Sequence, residues 1–284
     1  MKGESSVMLT NMKSLLAIAE ERRCAIPAFN VYNAETAAGV IQAAEEAGAC
    51  VILQMYSRLF TSWEAEFLSP ALIAAIQRSP VKMAFHLDHG ASDEACARAL
   101  RYGCTSIMRD ASTLPLEENI AVMKRVTRFA HDLGVDVEGE LGHIGMAADG
   151  VSTEYTHVDE AERFVRETGV DALAVMVGTA HGRYRQAPTI ALDRIREIRA
   201  ATGCPLVLHG GSGVPDDQIL ASIQAGIRKI NFGTDVCYAL LDEIRRTRAE
   251  IVAVDLFMKG PTQSVRRFAL GKIRLLGAEG SSHG

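Results

Sequence analysis

The amino-acid sequence predicts an α/β fold, a (β/α)8 or TIM barrel, and three observations carry that prediction. Eight short apolar runs recur along the chain, at 25–30, 50–55, 81–87, 104–108, 135–140, 172–177, 205–209 and 226–231. Several are almost continuously apolar, which is how strands buried on both faces read. Between them lie amphipathic segments of helical period, and alternation of strand and helix implies a parallel sheet. The polar residues of the runs collect at or just beyond their C-terminal ends, where such a barrel carries its active site. A doubly wound open sheet is the alternative. It would normally show a glycine-rich first turn, and FNVYNAE is not one.

Bulk properties agree with one large domain spanning 1–284. The chain is 48% hydrophobic and 23% charged, the composition of a soluble globular protein with a large core. A net charge of −5 and a pI near 5.9 give no electrostatic reason to expect nucleic acid or an anionic membrane as a partner. None of the six cysteines forms a C-x-x-C pair, so all are expected reduced and mostly buried. The N-terminal MKGESSVMLTNMKSLL lacks the long apolar stretch of a signal peptide, and no segment approaches a membrane span. A cytoplasmic location is the expectation.

The helical segments follow in order. AETAAGVIQAAEEAG is rich in strong helix formers and closes on Gly48. SDEACARALRYG, EENIAVMKRVTRFAHDLG, VDEAERFVRETG, IALDRIREIRAATG and PDDQILASIQAG continue the pattern; four helices begin just after Ser, Asp or Pro, and most end at Gly.

The strand ends supply the chemistry. Asn30 ends the first run, and Asp88 and His89 end the third. Arg109 and Asp110 follow the fourth, and Glu138 and Glu140 end the fifth. His181 follows the sixth, while His209 and Asn231 end the last two. A lone loop histidine is usually a surface residue. Three of them, His89, His181 and His209, converging on one mouth read as the ligands of a catalytic zinc with a position left open for substrate. His86 points to the same side of its strand as Asp88 and reads as a core or supporting histidine. His131, His143, His157 and His283 read as ordinary. After the seventh and eighth runs come LHGGSGVPDDQI and KINFGTDVCYAL. The corresponding loops of a TIM barrel form its common phosphate site. Gly210, Gly211 and Gly213 let backbone N–H groups approach an anion, and Ser212 and Thr234 offer hydroxyls.

With these residues in place the chain resembles the class II, metal-dependent fructose-bisphosphate and tagatose-bisphosphate aldolase family. The resemblance runs from IPAFNVYNAE through HLDHG, ENI, VEGELG, VGTAHGRY and LVLHGGSGVPDDQI to KINFGTD. It implies a barrel working as a homodimer or homotetramer, with zinc as Lewis acid and a monovalent cation as a further candidate. It implies His89, His181 and His209 as zinc ligands. Asp88 becomes the acid and base at carbon 4. Gly182, Gly210, Ser212, Asn231 and Thr234 become contacts to dihydroxyacetone phosphate, and Asp110 and Glu140 become carboxylates near the metal. The implied reaction is reversible cleavage of a ketose 1-phosphate, by default fructose or tagatose 1,6-bisphosphate.

Three departures qualify the resemblance. The mobile loop usually carries a carboxylate that moves the proton at carbon 3; here ELGHIGMAADG puts Ala147 and Ala148 at those positions, with Asp149 or Glu154 as substitutes if the loop is shifted. MRDAS places Arg109 where most members are apolar. It either pairs with an anion on the aldehyde half of the substrate or with a neighbouring acidic side chain. MRDAS with ELGH resembles a branch acting on longer or acidic ketose 1-phosphates. NFGTD differs from many relatives in its middle pair but keeps Asn231 and Thr234; for the opposite pocket, Ser57 and Arg58 in QMYSRLFTSW could meet a distal phosphate, though a solvated Arg58 is the preferred reading. A non-catalytic zinc- and phosphate-binding paralogue is the competing function: the alanines favour it and the full ligand set opposes it.

Overall fold

The computed structural model describes residues 8–150, 154–248 and 250–283. Eight parallel strands close into a barrel in sequential order: β1 (Ile26–Asn30), β2 (Val51–Tyr56), β3 (Met83–Gly90), β4 (Ser106–Arg109), β5 (Asp136–Leu141), β6 (Ala172–Val175), β7 (Leu206–Leu208) and β8 (Ile227–Phe232). Each coincides with one of the eight apolar runs to within a few residues. β1 pairs with β8 through Ala28 and Asn231, which removes both sheet edges.

The six helices read from the sequence are present, and two of them carry side-chain N-caps. Asn33 and Thr36 form a reciprocal capping box on Ala34–Ala47, and Ser92 accepts from the Ala95 N–H. Gly48, Gly169 and Gly203 end their helices in the left-handed conformation. The structure adds Met12–Arg22, Glu64–Arg78, Thr234–Arg246 and Lys259–Leu275. Glu64–Arg78 carries Pro70 inside it, which breaks the helical pattern in the sequence.

Met12–Arg22 has a specific task. Met12, Leu15, Leu16 and Ala19 form one buried cluster with Ile26, Ala28, Ile52, Ala84, Ala172 and Val207. Thr10 N–H bonds to Met83 O, and Lys13 N–H to the Asp136 carboxylate, so the helix is anchored where β3 and β5 start. It plugs the N-terminal end of the barrel with hydrocarbon. Strand alternation then sets the barrel interior in layers. Ile26, Ala28 and Asn30 follow one another up β1, as Ala84, His86 and Asp88 do up β3. The polar side chains thus rise from an apolar floor toward the opposite mouth. Among the described residues no helix is long and apolar enough to cross a membrane.

Leu15 is fully buried in this plug. Leu15→Ala is expected to lower unfolding stability by about 2–5 kcal/mol. Urea denaturation should show a lower midpoint with an unchanged slope.

Candidate active site

The site is built around an irregular strand end. A regular strand would send Asp88 and His89 to opposite faces. Here the β3–β4 register shifts between Leu87 and Gly90, and His89 takes φ of +48°. A left-handed conformation costs a non-glycine residue about 1–2 kcal/mol. It turns both side chains into one cavity of about 680 Å³.

His181 and His209 meet His89 there. Ring centroids lie 4.8 Å apart for His89–His181, 4.9 Å for His89–His209 and 5.7 Å for His181–His209. One ring nitrogen of each falls within 4.8 Å of the other two. His89 Nε2, His181 Nε2 and His209 Nδ1 are buried and have no hydrogen-bond partner among the described residues. Three orphaned nitrogens in one place are costly unless a cation takes their lone pairs, so the donor set fits a metal ion with an open coordination position.

Carboxylates set the orientation of two of the rings. His89 Nδ1 donates to Asp110 Oδ2 at 2.8 Å, and His209 Nε2 donates to Glu138 Oε1 at 2.8 Å. An ionised carboxylate only accepts, so in the neutral ring the remaining nitrogen is the one whose lone pair a metal would take. His209 Nδ1 also stands 3.0 Å from Glu140 Oε2. Burial alone would strip His209 of a proton, but Glu138 and Glu140 outweigh it and push this imidazole up to about 10. Burial dominates at His181 and drives it down to about 4. Burial would raise the Asp110 carboxyl; bonds from His89 and Ser112 hold it well below the ordinary carboxylate range. His89, Asp110 and Glu140 form a second group able to hold an ion.

Lys229, fully buried, ties these parts together. Its Nζ is 2.8 Å from Glu138 Oε2 and donates to Asn231 Oδ1 at 2.8 Å. Asn231 Nδ2 donates to Asp88 Oδ1 at 3.4 Å, and Asn30 Nδ2 to Asp88 Oδ2 at 2.7 Å. Burial would raise Asp88, yet the charges on His89 and His209 and the Asn30 bond keep it lowered and ionised. His86 packs beneath, with Nδ1 2.8 Å from Ser106 Oγ, and burial takes it to about 3.

The opposite wall is backbone. Gly182, Gly210, Ser212, Asn231 and Thr234 line the cavity, as do Asn30 and Asp110. Gly210 is indispensable by geometry: at φ +66°, a Cβ there would lie 2.2 Å from Ala180 O. Gly213 N–H is taken by the Asp235 carboxylate, whose own N–H goes to Ser212 Oγ. Gly211 lies outside the lining; its N–H bonds to Asn231 O and its Cα packs against β8.

Two sequence expectations meet different surroundings. Arg109 is outside the cavity lining. Its guanidinium pairs with Asp93 Oδ1 at 3.2 Å and with the carbonyls of Gly90 and Asp110. Arg58, read as a solvated residue, is exposed and at the same time lines the cavity, over the rings of Tyr56 (4.9 Å) and Tyr32 (5.7 Å). Tyr32, Tyr56, His143 and Met146 also line it and were not singled out as site residues. The available signal was position, since each ends a strand, follows one by only a few residues or sits in the ELG loop. Ser57 instead accepts from Ala91 N–H. The ELG loop is pinned by Ala147 N–H to His181 O and His181 N–H to Gly145 O, both 2.8 Å. Ala147 is buried, and Glu154 is exposed and not part of the lining. The side chain of Asp149 lies outside the described residues.

A sequence model of the class-II fructose-bisphosphate aldolase family matches residues 10–281. The Escherichia coli protein YdjI is 36% identical over 97% of this chain and 100% of its own. The crystal structure of the YdjI aldolase superposes with a TM-score of 0.89 over the same shares. A Bacillus subtilis 6-phospho-5-dehydro-2-deoxy-D-gluconate aldolase is 35% identical over 96% of this chain and 97% of its own. A Staphylococcus aureus fructose-bisphosphate aldolase is 34% identical over 95% and 97%.

Lys229→Met leaves Glu138 without its ammonium. It is expected to cost about 3–5 kcal/mol of stability, measured by denaturant unfolding, with part recovered in the Lys229→Met/Glu138→Gln pair. Because His209 holds its proton up to about pH 10 in the metal-free protein, a bound divalent ion must displace that proton. Its affinity should rise with pH across the neutral range, read by competition with a chelator. An affinity flat in pH would contradict this.

Proposed function

The chain belongs to the class II fructose-bisphosphate aldolase family and is an aldolase, a carbon–carbon lyase acting on sugar phosphates. From that premise we propose a zinc-dependent enzyme that reversibly cleaves a ketose 1-phosphate to dihydroxyacetone phosphate and an aldehyde. The observation that carries this reading is the set of three orphaned imidazole nitrogens beside an ionised Asp88. His89, His181 and His209 would hold the zinc, whose chemistry when bound is that of a Lewis acid, stabilising negative charge on the ketone fragment's oxygens. Asp110 and Glu140 support those ligands; because His89 has a single free nitrogen and belongs to both groups, Asp110 and Glu140 suit a displaced position of the same ion.

The chain's own residues divide the remaining work. Gly182, Gly210, Ser212 and Thr234 receive the phosphate of the ketone half, which holds the reacting carbons in register. Asp88, fixed by Asn30 and Asn231, takes the hydroxyl proton of carbon 4 as the bond between carbons 3 and 4 breaks. Carbon 4 leaves as an aldehyde, and the bonding pair stays with the ketone fragment as an enediolate.

Arg58 bears on the aldehyde half. It lines the same cavity, and no carboxylate among the described residues pairs with it. Two tyrosine rings hold its guanidinium ready for a bidentate anion. The reading is therefore an aldehyde half with an anionic end: a second phosphate, as in fructose or tagatose 1,6-bisphosphate, or the carboxylate of a sugar acid or longer-chain ketose phosphate. Arg109, tied to Asp93, is not assigned this role. A homodimer or homotetramer is part of the proposal, measurable by light scattering.

Dihydroxyacetone phosphate release by the zinc-loaded protein should stop on chelation and in Asp88→Ala. Release that survives both would sink the reading, and no release with metal and ketone phosphate still bound would favour the non-catalytic paralogue. Arg58→Ala should lower kcat/KM for anionic substrates by roughly 10- to 100-fold, the worth of a charged hydrogen bond, with little effect on condensation of a neutral aldehyde. Equal losses on both would remove Arg58 from recognition.

A further inference from the structure

After cleavage, carbon 3 of the ketone fragment must gain a proton, and no residue assigned so far can give it. Asp88 has accepted the proton from carbon 4. Ala147 and Ala148 stand where the family resemblance places a carboxylate, and the two backbone bonds to His181 hold the loop in that register. Glu154 is not part of the cavity lining.

We propose that His143 is the general acid and base that exchanges the proton at carbon 3 of dihydroxyacetone phosphate, in place of the missing loop carboxylate. The proposal rests on the aldolase reading above and adds a catalytic residue to it.

A chain of hydrogen bonds decides which nitrogen of His143 acts. Asp110 accepts on both oxygens, from the Ser112 N–H on Oδ1 and from His89 Nδ1 on Oδ2. Ser112 Oγ donates its single proton to Asp110 Oδ1 at 2.8 Å. Ser112 Oγ can then only accept from His143 Nδ1, 3.1 Å away. So Nδ1 carries the ring proton in the neutral imidazole, and Nε2 is the basic nitrogen. Nε2 has no partner among the described residues, and the ring lines the cavity with Asp88, His89 and His181. The same carboxylate that orients His89 through one oxygen thus orients His143 through the other.

The step balances. In cleavage the imidazolium of His143 gives its Nε2 proton to carbon 3 of the enediolate, a carbon–hydrogen bond forms, and dihydroxyacetone phosphate and neutral imidazole result. His143 is exposed at the mouth and regains a proton from water. Condensation runs the same transfers backwards. The two phenols in the cavity are poorer donors, since burial holds both Tyr32 and Tyr56 above the ordinary tyrosine range. An imidazole gives and takes a proton near neutrality.

The test is solvent deuterium exchange into dihydroxyacetone phosphate, followed by NMR on the zinc-loaded protein without aldehyde. His143→Ala should slow exchange and kcat for cleavage by about 100-fold or more, with zinc content and the Kd for dihydroxyacetone phosphate unchanged. Its rate should also lose the pH limb that the wild type shows. His143→Glu should restore part of the exchange with that limb moved to lower pH. Wild-type exchange in His143→Ala overturns the proposal and leaves the aldolase intact. So does loss of exchange in Asp149→Ala but not in His143→Ala. A zinc-loaded wild type that neither exchanges nor cleaves overturns this proposal and the aldolase reading together.

Discussion

The Glu138 carboxylate, sealed inside the barrel, is the constraint on which the site depends. It has no exposure, and burial by itself would make it shed its charge; the Lys229 ammonium and the bond from His209 hold it ionised instead. A buried ion pair of this kind is weak evidence of added stability, because desolvation offsets much of the attraction. Its consequence here is orientation. One oxygen of Glu138 takes the Nε2 proton of His209 and turns Nδ1 to the cavity, while the other faces Lys229. Lys229 then points Asn231 at Asp88. One carboxylate on β5 thereby orients the His209 ring just beyond β7 and, through β8, the Asp88 carboxylate on β3.

Asp110 plays a parallel role at the other side of the mouth. It receives His89 on one oxygen and Ser112 on the other. The His89 and His143 rings are thus aligned by one acceptor, which would be the common support of the proposed metal group and the proposed proton exchange. The left-handed backbone at His89 belongs to the same arrangement. Strain of that kind persists only where surrounding contacts over-determine it, and the register shift between Leu87 and Gly90 and the bond to Asp110 are such contacts.

Much of this was legible in the sequence. All eight strands were, because strands buried on both faces leave apolar runs that survive any arrangement of their neighbours. The three histidines were, because the C-terminal ends of barrel strands meet at one mouth whatever the loops do. The arginines were not. Arg109 sits one residue before Asp110 and looked better placed than Arg58, but Asp93, sixteen positions earlier in the chain, captures it. His143 looked ordinary because its significance lies in Ser112 and Asp110, on a different strand–helix connection.

By itself the sequence determined the barrel, the mouth at which its polar residues gather, and the types of those residues. Those follow from periodicity and from the order of strands, which are local properties of the chain. Only the tertiary structure decided which nitrogen of each imidazole is free, which arginine is free, and that Asp88 and His89 share one cavity. Each of those depends on a partner far away in sequence, 71 positions for His209 and Glu138, or on a single backbone angle at His89. Neither leaves a pattern in the amino-acid order.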